Sequence, residues 1–350
     1  MPVSPSRRLS AGLLALALVT PAARLAAQQP ERVELSGSTS TVYNLIGTLQ
    51  VVPATGTAVV AEVTRQGADG AKLGVESGGG SLRIVYPGTK FVYQPMGSNS
   101  ETTLDVNEDG TFGDDVHGGR RMKIVGRGTG LDAWADLRLM LPAGARVHLN
   151  VGVGKVTLTN VDGTIAAQTA SGDIVASDTR GSLTLDTGSG DVTLTGHDGA
   201  LAVDTGSGDI VLSRVKTDAL ALDTGSGDVR VNGLTATQLK VDTGSGDVVV
   251  SDASVGTIHV DTGSGDIRLG VTSDLDDLSV DTGSGDVELT APASLGAQVD
   301  IETSSGDIDT QFPLQVTRQG HDGLKGSIGD GKGRITIETA SGDVALRKQP

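Results

Sequence analysis

The sequence predicts an all-β protein, a parallel β-solenoid resembling a β-helix, with coils of about 18 to 21 residues and a β-rich N-terminal cap region. Three observations predict it: Ser-Gly-Asp followed by Val or Ile occurs nine times, the copies are almost evenly spaced, and alternating apolar residues flank them. A coil this short cannot bury its own apolar face, so the coils are expected to stack. The glycines of the copies are Gly172, Gly190, Gly208, Gly227, Gly246, Gly265, Gly285, Gly306 and Gly342, with Gly154 of a degenerate copy in register before them.

One coil can be built from the segment 183-LTLDTGSGDVTLTGHDG-199. Leu183, Leu185 and Thr187 share one parity and should point inward, as in a half-buried strand. Val192 resumes the inward set after an odd gap, so a corner at the intervening Gly-Ser-Gly must reset the parity. Glycine suits such a corner because it adopts backbone conformations that other residues avoid. Stacked at about 4.8 Å, ten coils would extend roughly 45 to 50 Å.

The opposite corner of each coil absorbs the differences in coil length. Most of the longer coils carry an extra apolar residue there, which is expected to fill the wider end: Val215, Leu234, Leu275 and Leu295. The period holds as far as Gly306 and then jumps to 36 residues before Gly342, across a segment that contains 326-GSIGDG-331.

Residues 1–27 are predicted to be a signal peptide. Arg7 and Arg8 give a positive start, and the apolar stretch 11–19 is followed by small residues before Gln28. Nine apolar residues are too few to span a bilayer, so no transmembrane segment is predicted in the mature chain. The sequence therefore predicts an exported protein of the periplasm, the cell surface or the extracellular space.

Two regions are predicted after the signal peptide. Residues 28–148 form a β-rich N-terminal region, because alternating runs such as 57-TAVVAEV-63 are typical of strands, and they include a polar loop near 96–121. Residues 149–350 form the solenoid repeat domain. Trp134 is expected to pack in the N-terminal region, which would close the open end of the solenoid.

The composition limits the partners. The chain has a formal net charge of −16 and no cysteine. Nucleic acids and anionic lipids would be repelled, whereas cations are natural counterparts. Without cysteine there is no disulfide framework and no lipoprotein anchor, so the core or bound ions must hold the fold together.

The stretch 203-VDTGSGD-209 resembles the active-site signature of aspartic proteases. Such an enzyme needs two aspartates close together, each supplied by its own lobe or subunit. Here the same aspartate recurs as Asp186, Asp204, Asp223, Asp242, Asp261 and Asp281, every 18 to 20 residues, and no lobe fits in that length. The motif is therefore interpreted as the residues that build a corner of the coil, and not as a catalytic site.

Two sets of residues are candidate ligands of calcium. Calcium is the one cofactor that the sequence suggests. Asp105, Asn107 and Asp109 match the opening of a calcium-binding loop, but Val116 stands where the bidentate Glu belongs, so an Asx-rich turn is the alternative. The second set is the ladder of aspartates that follows the corner glycines, for which backbone hydrogen bonds and solvent are the alternative to calcium. It comprises Asp191, Asp209, Asp228, Asp247, Asp266 and Asp286.

No catalytic residue is predicted. The five histidines are scattered without a metal-binding pair or a thiol, and His197 and His321 each lie in a Gly-His-Asp-Gly turn that is expected to be solvated. No aromatic residue occurs between Asp136 and Gln311, which disfavours stacking of sugars along the coils.

The recurrent (D/E)-T-(G/A/S)-S-G-D-(V/I) coils, together with the signal peptide, resemble the bacterial "putative adhesin" domain-of-unknown-function family of exported β-solenoids. The resemblance covers roughly residues 140–350 well and residues 30–140 loosely. It implies a location in the cell envelope or at the surface and an adhesive or structural role, and it supplies no catalytic residues.

The sequence therefore favours a non-enzymatic exported cell-envelope or surface protein, an adhesin or a structural scaffold with a surface partner that it does not identify. A calcium-binding protein similar to a β-roll, stabilised by the aspartate ladders, is the alternative. An envelope hydrolase is a remote third hypothesis.

Overall fold

The computed structural model describes residues 30–113, 116, 118–320 and 323–349. This part of the chain consists of β-strands joined by turns and loops, with short 3-10 turns such as Gly70–Lys72 and Gln94–Met96, which confirms the predicted fold class. No helix in these ranges is long and apolar enough to cross a membrane. The predicted signal peptide, residues 1–27, lies outside the described residues.

Strands preceding the repeats occupy the first third of the described chain. They are β1 (Glu31–Leu35), β2 (Ser40–Ile46), β3 (Leu49–Pro53), β4 (Val59–Gln66), β5 (Gly74–Gly78), β6 (Ser81–Val85), β7 (Lys90–Val92), β8 (Glu101–Val106), β9 (Arg120–Val125) and β10 (Trp134–Leu141). Strands β7, β8 and β9 form a small separate sheet, and the remaining strands join the large sheet of the solenoid.

The coils are made of the strands that follow, with one Ser-Gly-Asp corner between most successive pairs. The strands are β11 (Ala145–Val153), β12 (Val156–Thr159), β13 (Asp162–Ser171), β14 (Ile174–Thr187), β15 (Val192–Thr205), β16 (Ile210–Lys216), β17 (Ala219–Thr224), β18 (Val229–Thr243), β19 (Val248–Thr262), β20 (Ile267–Val271), β21 (Asp277–Ser284), β22 (Val287–Ala291), β23 (Ala297–Thr303), β24 (Ile308–Thr310), β25 (Leu314–Gln319), β26 (Gly323–Ile328), β27 (Gly333–Ser341) and β28 (Val344–Lys348).

Adjacent coils pair in parallel with equivalent residues side by side. Between β14 and β15, Leu185 lies beside Val203, and Thr187 lies beside Thr205. The inward residues of each strand are almost fully buried, and they form one continuous apolar core along the stack. The predicted alternation is confirmed, because a strand with one buried face must bury every second residue.

The threonine of each Asp-Thr-Gly-Ser corner points into the core. The Thr187 hydroxyl donates a hydrogen bond to the carbonyl oxygen of Gly172 in the preceding coil, at 3.1 Å. The Thr205 hydroxyl does the same to Gly190, at 3.2 Å. A buried threonine therefore joins consecutive corners, and since side chains alternate along a strand, the aspartate before it faces outward.

The second glycine of the corner is required because the coils approach closely there. A Cβ atom added to Gly208 would lie less than 3.0 Å from the carbonyl oxygen of Gly190 in the coil below, closer than Cβ atoms approach in proteins. The same restriction applies to the other corner glycines of the stack: Gly154, Gly172, Gly190, Gly227, Gly246, Gly265, Gly285, Gly306 and Gly342.

The opposite corner contains the extra apolar residues of the longer coils. Val215, Leu234, Leu275 and Leu295 are each at most 3% exposed. The prediction that they fill the wider end is confirmed. Burial of each such side chain stabilises the coil by about 1.5 to 3 kcal/mol, an upper estimate because the unfolded chain is already partly compact.

The coil stack extends into the N-terminal region. Strands β2 and β3 pair in parallel with β11 and β12, one coil earlier than the degenerate copy of the repeat. Gly47 supplies the corner of this coil, and Gly154 stacks on its carbonyl oxygen as one corner glycine stacks on another. The N-terminal region thus contributes a solenoid coil without a Ser-Gly-Asp sequence.

Strands beyond this coil cover the open end of the solenoid. β10 pairs in parallel with β3 and antiparallel with β4, and β1 pairs antiparallel with β4, while β6 adds to β2. Aromatic side chains pack here, and Trp134 lies against Tyr93 with ring centroids 5.6 Å apart. The expected packing of Trp134 is confirmed.

The last three coils do not stack in chain order. We name them the Gly285 coil (residues 277–291), the Gly306 coil (297–310) and the Gly342 coil (333–348). β27 of the Gly342 coil pairs in parallel with β21 on one edge and with β23 on the other, and β28 pairs with β22 and β24 in the same way. The C-terminal coil therefore lies between two coils that are consecutive in sequence. The spacing of 36 residues between Gly306 and Gly342 includes the chain that returns to this position.

A hairpin closes the C-terminal end. β26 pairs antiparallel with the free edge of β23, and β25 pairs antiparallel with β26. In the other half of the last coil, Phe312 is 4% exposed, and the Lys348 ammonium lies 5.5 Å from the centre of its ring. The hairpin and Phe312 together shield the apolar end of the stack from water.

Candidate functional site

Two parallel columns of carboxylates run along the coils. The outer column precedes the buried threonines, and two glutamates that the sequence analysis did not include extend it. In stacking order it consists of Asp186, Asp204, Asp223, Asp242, Asp261, Asp281, Glu338 and Glu302. The turn column follows the corner glycines and consists of Asp173, Asp191, Asp209, Asp228, Asp247, Asp266, Asp286, Asp343 and Asp307.

Backbone hydrogen bonds connect the whole turn column. The backbone N–H of Asp209 donates to Oδ1 of Asp191 at 3.0 Å, and the N–H of Asp228 donates to Oδ1 of Asp209 at 2.9 Å. Six more bonds of the same kind continue the series in both directions, at 2.8 to 3.3 Å. The aspartate thus serves as the acceptor that satisfies the corner amide of the next coil.

At Asp228, a bond of this kind favours the charged form of the carboxylate. The N–H of Asp247 is the main reason that the pKa of Asp228 lies below its usual value, and Arg230 adds to the effect. Arg230 lies 2.6 Å from Asp228 and 3.5 Å from Asp209, so one guanidinium bridges two coils. The turn column is therefore a structural element whose charge is partly compensated.

The outer column differs because its members repel one another. Partial burial is the main cause that raises the pKa of Asp223, and the neighbouring carboxylates Asp204 and Asp242 raise it further. Lys240 opposes the shift weakly, and it lies 3.9 Å from Asp242. The fold holds like charges in register at the spacing of the strands, and it gives them less compensation than the turn column receives.

The Asp-Thr-Gly-Ser aspartates are not arranged as a protease dyad. Asp186, Asp204 and Asp223 lie side by side in consecutive coils of one sheet, not on two facing lobes. The buried threonine and the closely approaching glycines of the same motif hold the corner together. The interpretation of this motif as corner chemistry agrees with that geometry.

The structure places Asp105, Asn107 and Asp109 at the end of β8 and in the turn after it. The Asn107 amide donates to the Thr111 hydroxyl at 2.8 Å, and Oδ1 of Asp109 accepts the backbone N–H of Thr111 at 3.1 Å, as in an Asx turn. Each of the two aspartates forms a salt bridge with an arginine. Arg121 lies 3.6 Å from Asp105, and Arg83 lies 3.0 Å from Asp109.

These contacts engage the oxygens that a cation would need. Among the described residues, no group of three or more acidic or histidine side chains is arranged to hold a metal ion. The calcium sites of the loop and of the ladder Asp191, Asp209, Asp228, Asp247, Asp266 and Asp286 remain predictions, to be tested by the melting experiment described below.

His197 corrects one expectation from the sequence, because its side chain is buried and not solvated. The residue is 4% exposed, its Nδ1 lies 2.9 Å from the Thr179 hydroxyl, and its Nε2 lies 3.1 Å from the carbonyl oxygen of Ala200. Burial lowers the pKa of the imidazole. Its parity explains the burial, since His197 pairs with Val215 of the next coil and fills the same wide corner. His321 lies outside the described residues.

An open cleft of about 450 Å³ lies where the hairpin meets the last members of the outer column. Its walls carry Asp281, Glu338 and Glu302 on one side and Arg318 and Lys325 of the hairpin on the other. Lys325 lies 3.2 Å from Glu302 and binds Asp300 at 2.8 Å. Sequence reasoning missed this cleft, because its two sides are brought together only by the order of the last coils.

Comparison with known proteins supports the interpretation of the repeats. Residues 197–347 match the family described as Toastrack DUF4097, a match that agrees with the predicted resemblance to a domain-of-unknown-function family. No curated protein matches the chain. A solved structure described as a "putative cell adhesion protein" from Clostridium sporogenes is 10% identical, with 92% of this chain and 100% of that chain covered. At a TM-score of 0.16, this likeness carries no weight.

Proposed function

We propose that the protein is an exported, non-enzymatic component of the cell envelope or cell surface, and that its outer column serves as an adhesive or scaffolding face for cationic partners. One observation carries the proposal: the outer column holds eight carboxylates in register, and their mutual repulsion contributes to the raised pKa of Asp223. A cationic partner would relieve this repulsion. The predicted signal peptide and the adhesin-like family support the location.

The coil architecture suits such a face. Each carboxylate of the outer column precedes a buried threonine, so the backbone that carries it is fixed before a partner arrives. A partner with several cationic groups then gains affinity through multivalency, because each further contact forms within one complex. Exposed charge pairs are screened by salt, so the binding should weaken as the ionic strength rises.

Binding to immobilised poly-L-lysine tests the proposal. We expect the purified chain without residues 1–27 to bind, and the triple variant Asp204→Asn, Asp223→Asn, Asp242→Asn to bind at least about tenfold more weakly, the equivalent of about 1.4 kcal/mol. The matched control is Asp198→Asn, Asp218→Asn, Asp274→Asn, which removes the same charge from exposed positions at the opposite corner.

The control separates the face from the net charge. If both triple variants lose the same affinity, the net charge alone drives binding, and the outer column has no special role. If the unchanged chain does not bind poly-L-lysine even at low salt, a cationic partner for this face is the wrong assignment.

A further inference from the structure

The C-terminal end of the solenoid pairs with the rest of the stack through one surface. Residues 297–349 pair among themselves through the strands β23 to β28, in two coils and the closing hairpin. This unit, named here the end cap, pairs with the rest of the solenoid through β27 on β21 and β28 on β22.

The linker from the solenoid to the end cap passes over one coil of the stack. Residues 292–296 connect β22 to β23, and the Gly342 coil occupies the rung between these strands. The linker therefore spans two strand spacings, about 10 Å. Fully extended, its five residues reach roughly 17 Å, but in the closed chain the linker also buries Leu295, which is 1% exposed.

The docking surface is fully hydrogen-bonded and buried. Backbone N–H groups of Gly285 and Val287 donate to the carbonyl oxygens of Ser341 and Asp343, at 3.0 and 2.8 Å. The N–H of Asp343 also continues the turn column by donating to Oδ1 of Asp286 at 2.9 Å. Inward residues on both sides, including Ile335 and Ile337, are fully buried. Without the end cap, the Gly285 coil would present an unpaired edge and an exposed apolar end.

We propose that the edge of the Gly285 coil is an interaction surface for a second copy of this chain, whose end cap it accepts in place of its own. The surface is the same in both cases, because the end cap of any copy presents the same Gly342 coil in the same register. This inference goes beyond the proposed function, and it does not depend on the outer column binding a partner.

The energetics favour exchange at high protein concentration. The hydrogen bonds and buried contacts of the docked end cap are retained in the exchanged dimer, so the two forms differ in the linker, including the burial of Leu295, and in the entropy of association. A short linker gives the end cap of the same chain an effective concentration on the order of millimolar. Refolding near that concentration should produce exchanged dimers, and dilute refolding should produce monomers.

Refolding the chain without residues 1–27 from denaturant, at about 1 µM and about 500 µM, tests the proposal by size-exclusion chromatography with light scattering. A dimer that appears only in the concentrated sample is expected, because the two end caps then compete on nearly equal terms. A chain that is monomeric after both treatments overturns the proposal.

Cysteine variants identify the interface of such a dimer, since the chain has no cysteine of its own. Ser279 and Thr336 are register partners across the docking surface. Ser279→Cys and Thr336→Cys chains carrying different tags are refolded together and treated with a short bismaleimide. A cross-link between the two tagged chains is expected. The double variant Ser279→Cys, Thr336→Cys, refolded when dilute, shows that the reagent spans the pair within one monomer.

A matched pair provides the control. Thr184 and Ala202 are register partners in β14 and β15, which the exchange does not separate. Thr184→Cys and Ala202→Cys chains refolded together should therefore not cross-link to each other. A dimer that lacks the cross-link between positions 279 and 336, or that cross-links equally through the control pair, uses another interface and overturns the proposal.

Discussion

The short distance between adjacent coils restricts which residue type fits at each position of the corner. The corner glycines have another backbone within contact distance of where a Cβ would stand, and the adjacent threonines are buried and bonded to a corner carbonyl. The aspartate before the threonine has neither restriction, because it faces outward. Within a single Asp-Thr-Gly-Ser-Gly-Asp segment, stability and surface chemistry are therefore assigned to different residues.

A glycine and an aspartate of the same coil provide the first prediction. Gly208→Val should destabilise the chain by about 3 kcal/mol or more, because its Cβ would meet the carbonyl oxygen of Gly190. Asp204→Asn should leave stability almost unchanged or raise it, because it removes one of the repelling charges of the outer column. Thermal melts of both variants measure this, and equal losses would contradict the corner geometry.

His197 provides a prediction about pH. Burial lowers the pKa of its imidazole in the folded protein, whereas the unfolded chain keeps the ordinary value of about 6.5. Below that pH the unfolded state binds a proton that the folded state resists, so stability is lost as the pH falls. The stability advantage of the unchanged chain over His197→Asn should therefore shrink between about pH 7 and pH 5, as measured by urea unfolding. A pH-independent difference would show that the buried imidazole is not the titrating group.

At the scale of the element, the two carboxylate columns have opposite roles. The turn column satisfies one corner amide per coil, and such a bond lowers the pKa of Asp228. The outer column receives less compensation, and its charges work against one another. Both columns arise from one repeat, since its two aspartates lie on opposite sides of the same glycine corner.

Two asparagine variants in adjacent columns should therefore shift stability in opposite directions at pH 7. Asp223→Asn should stabilise the chain, because a raised folded pKa means that the charged form opposes folding above that pKa. Asp228→Asn should destabilise it, because a lowered folded pKa means that the charged form contributes stability, which is lost as the pH falls through the folded pKa. Urea unfolding at pH 7 and pH 3 measures both changes, and shifts of the same sign would contradict the distinction between the columns.

At the scale of the whole molecule, stability comes from one long core closed at both ends. The N-terminal strands cover one end, and the hairpin β25–β26 with the buried Phe312 covers the other. The coils between these ends have nearly interchangeable edges. The closing elements are therefore the parts of the chain that limit the length of the stack.

Calcium should have little effect on the melting temperature of the whole chain. The turn column accepts backbone amides, and Asp105 and Asp109 lie beside arginines, so these candidate calcium ligands already have partners within the protein. Far-UV circular dichroism melts in EDTA and in millimolar calcium measure this. A large rise of the midpoint in calcium would contradict the expectation and would support the ion-binding alternative, since a ligand bound only to the folded state stabilises it.

The sequence by itself determined the coil. The parity of Leu183, Leu185 and Thr187, the Gly-Ser-Gly corner and the buried Val215 and Leu234 all depend on neighbours a few residues away or exactly one coil away, which a regular period makes visible. It also indicated the outer and turn columns, because equivalent residues of parallel coils must stack.

Only the tertiary structure decided which coil stacks on which. The coil built by β2 and β3 carries no Ser-Gly-Asp sequence, and the Gly342 coil lies between two coils that precede it in the chain. The extension of the outer column by Glu338 and Glu302 follows from this order, as does the cleft beside Arg318. The physical reason is that every coil presents nearly the same edge, so the local sequence does not distinguish one neighbour from another. Linker lengths and the closing hairpin make that choice.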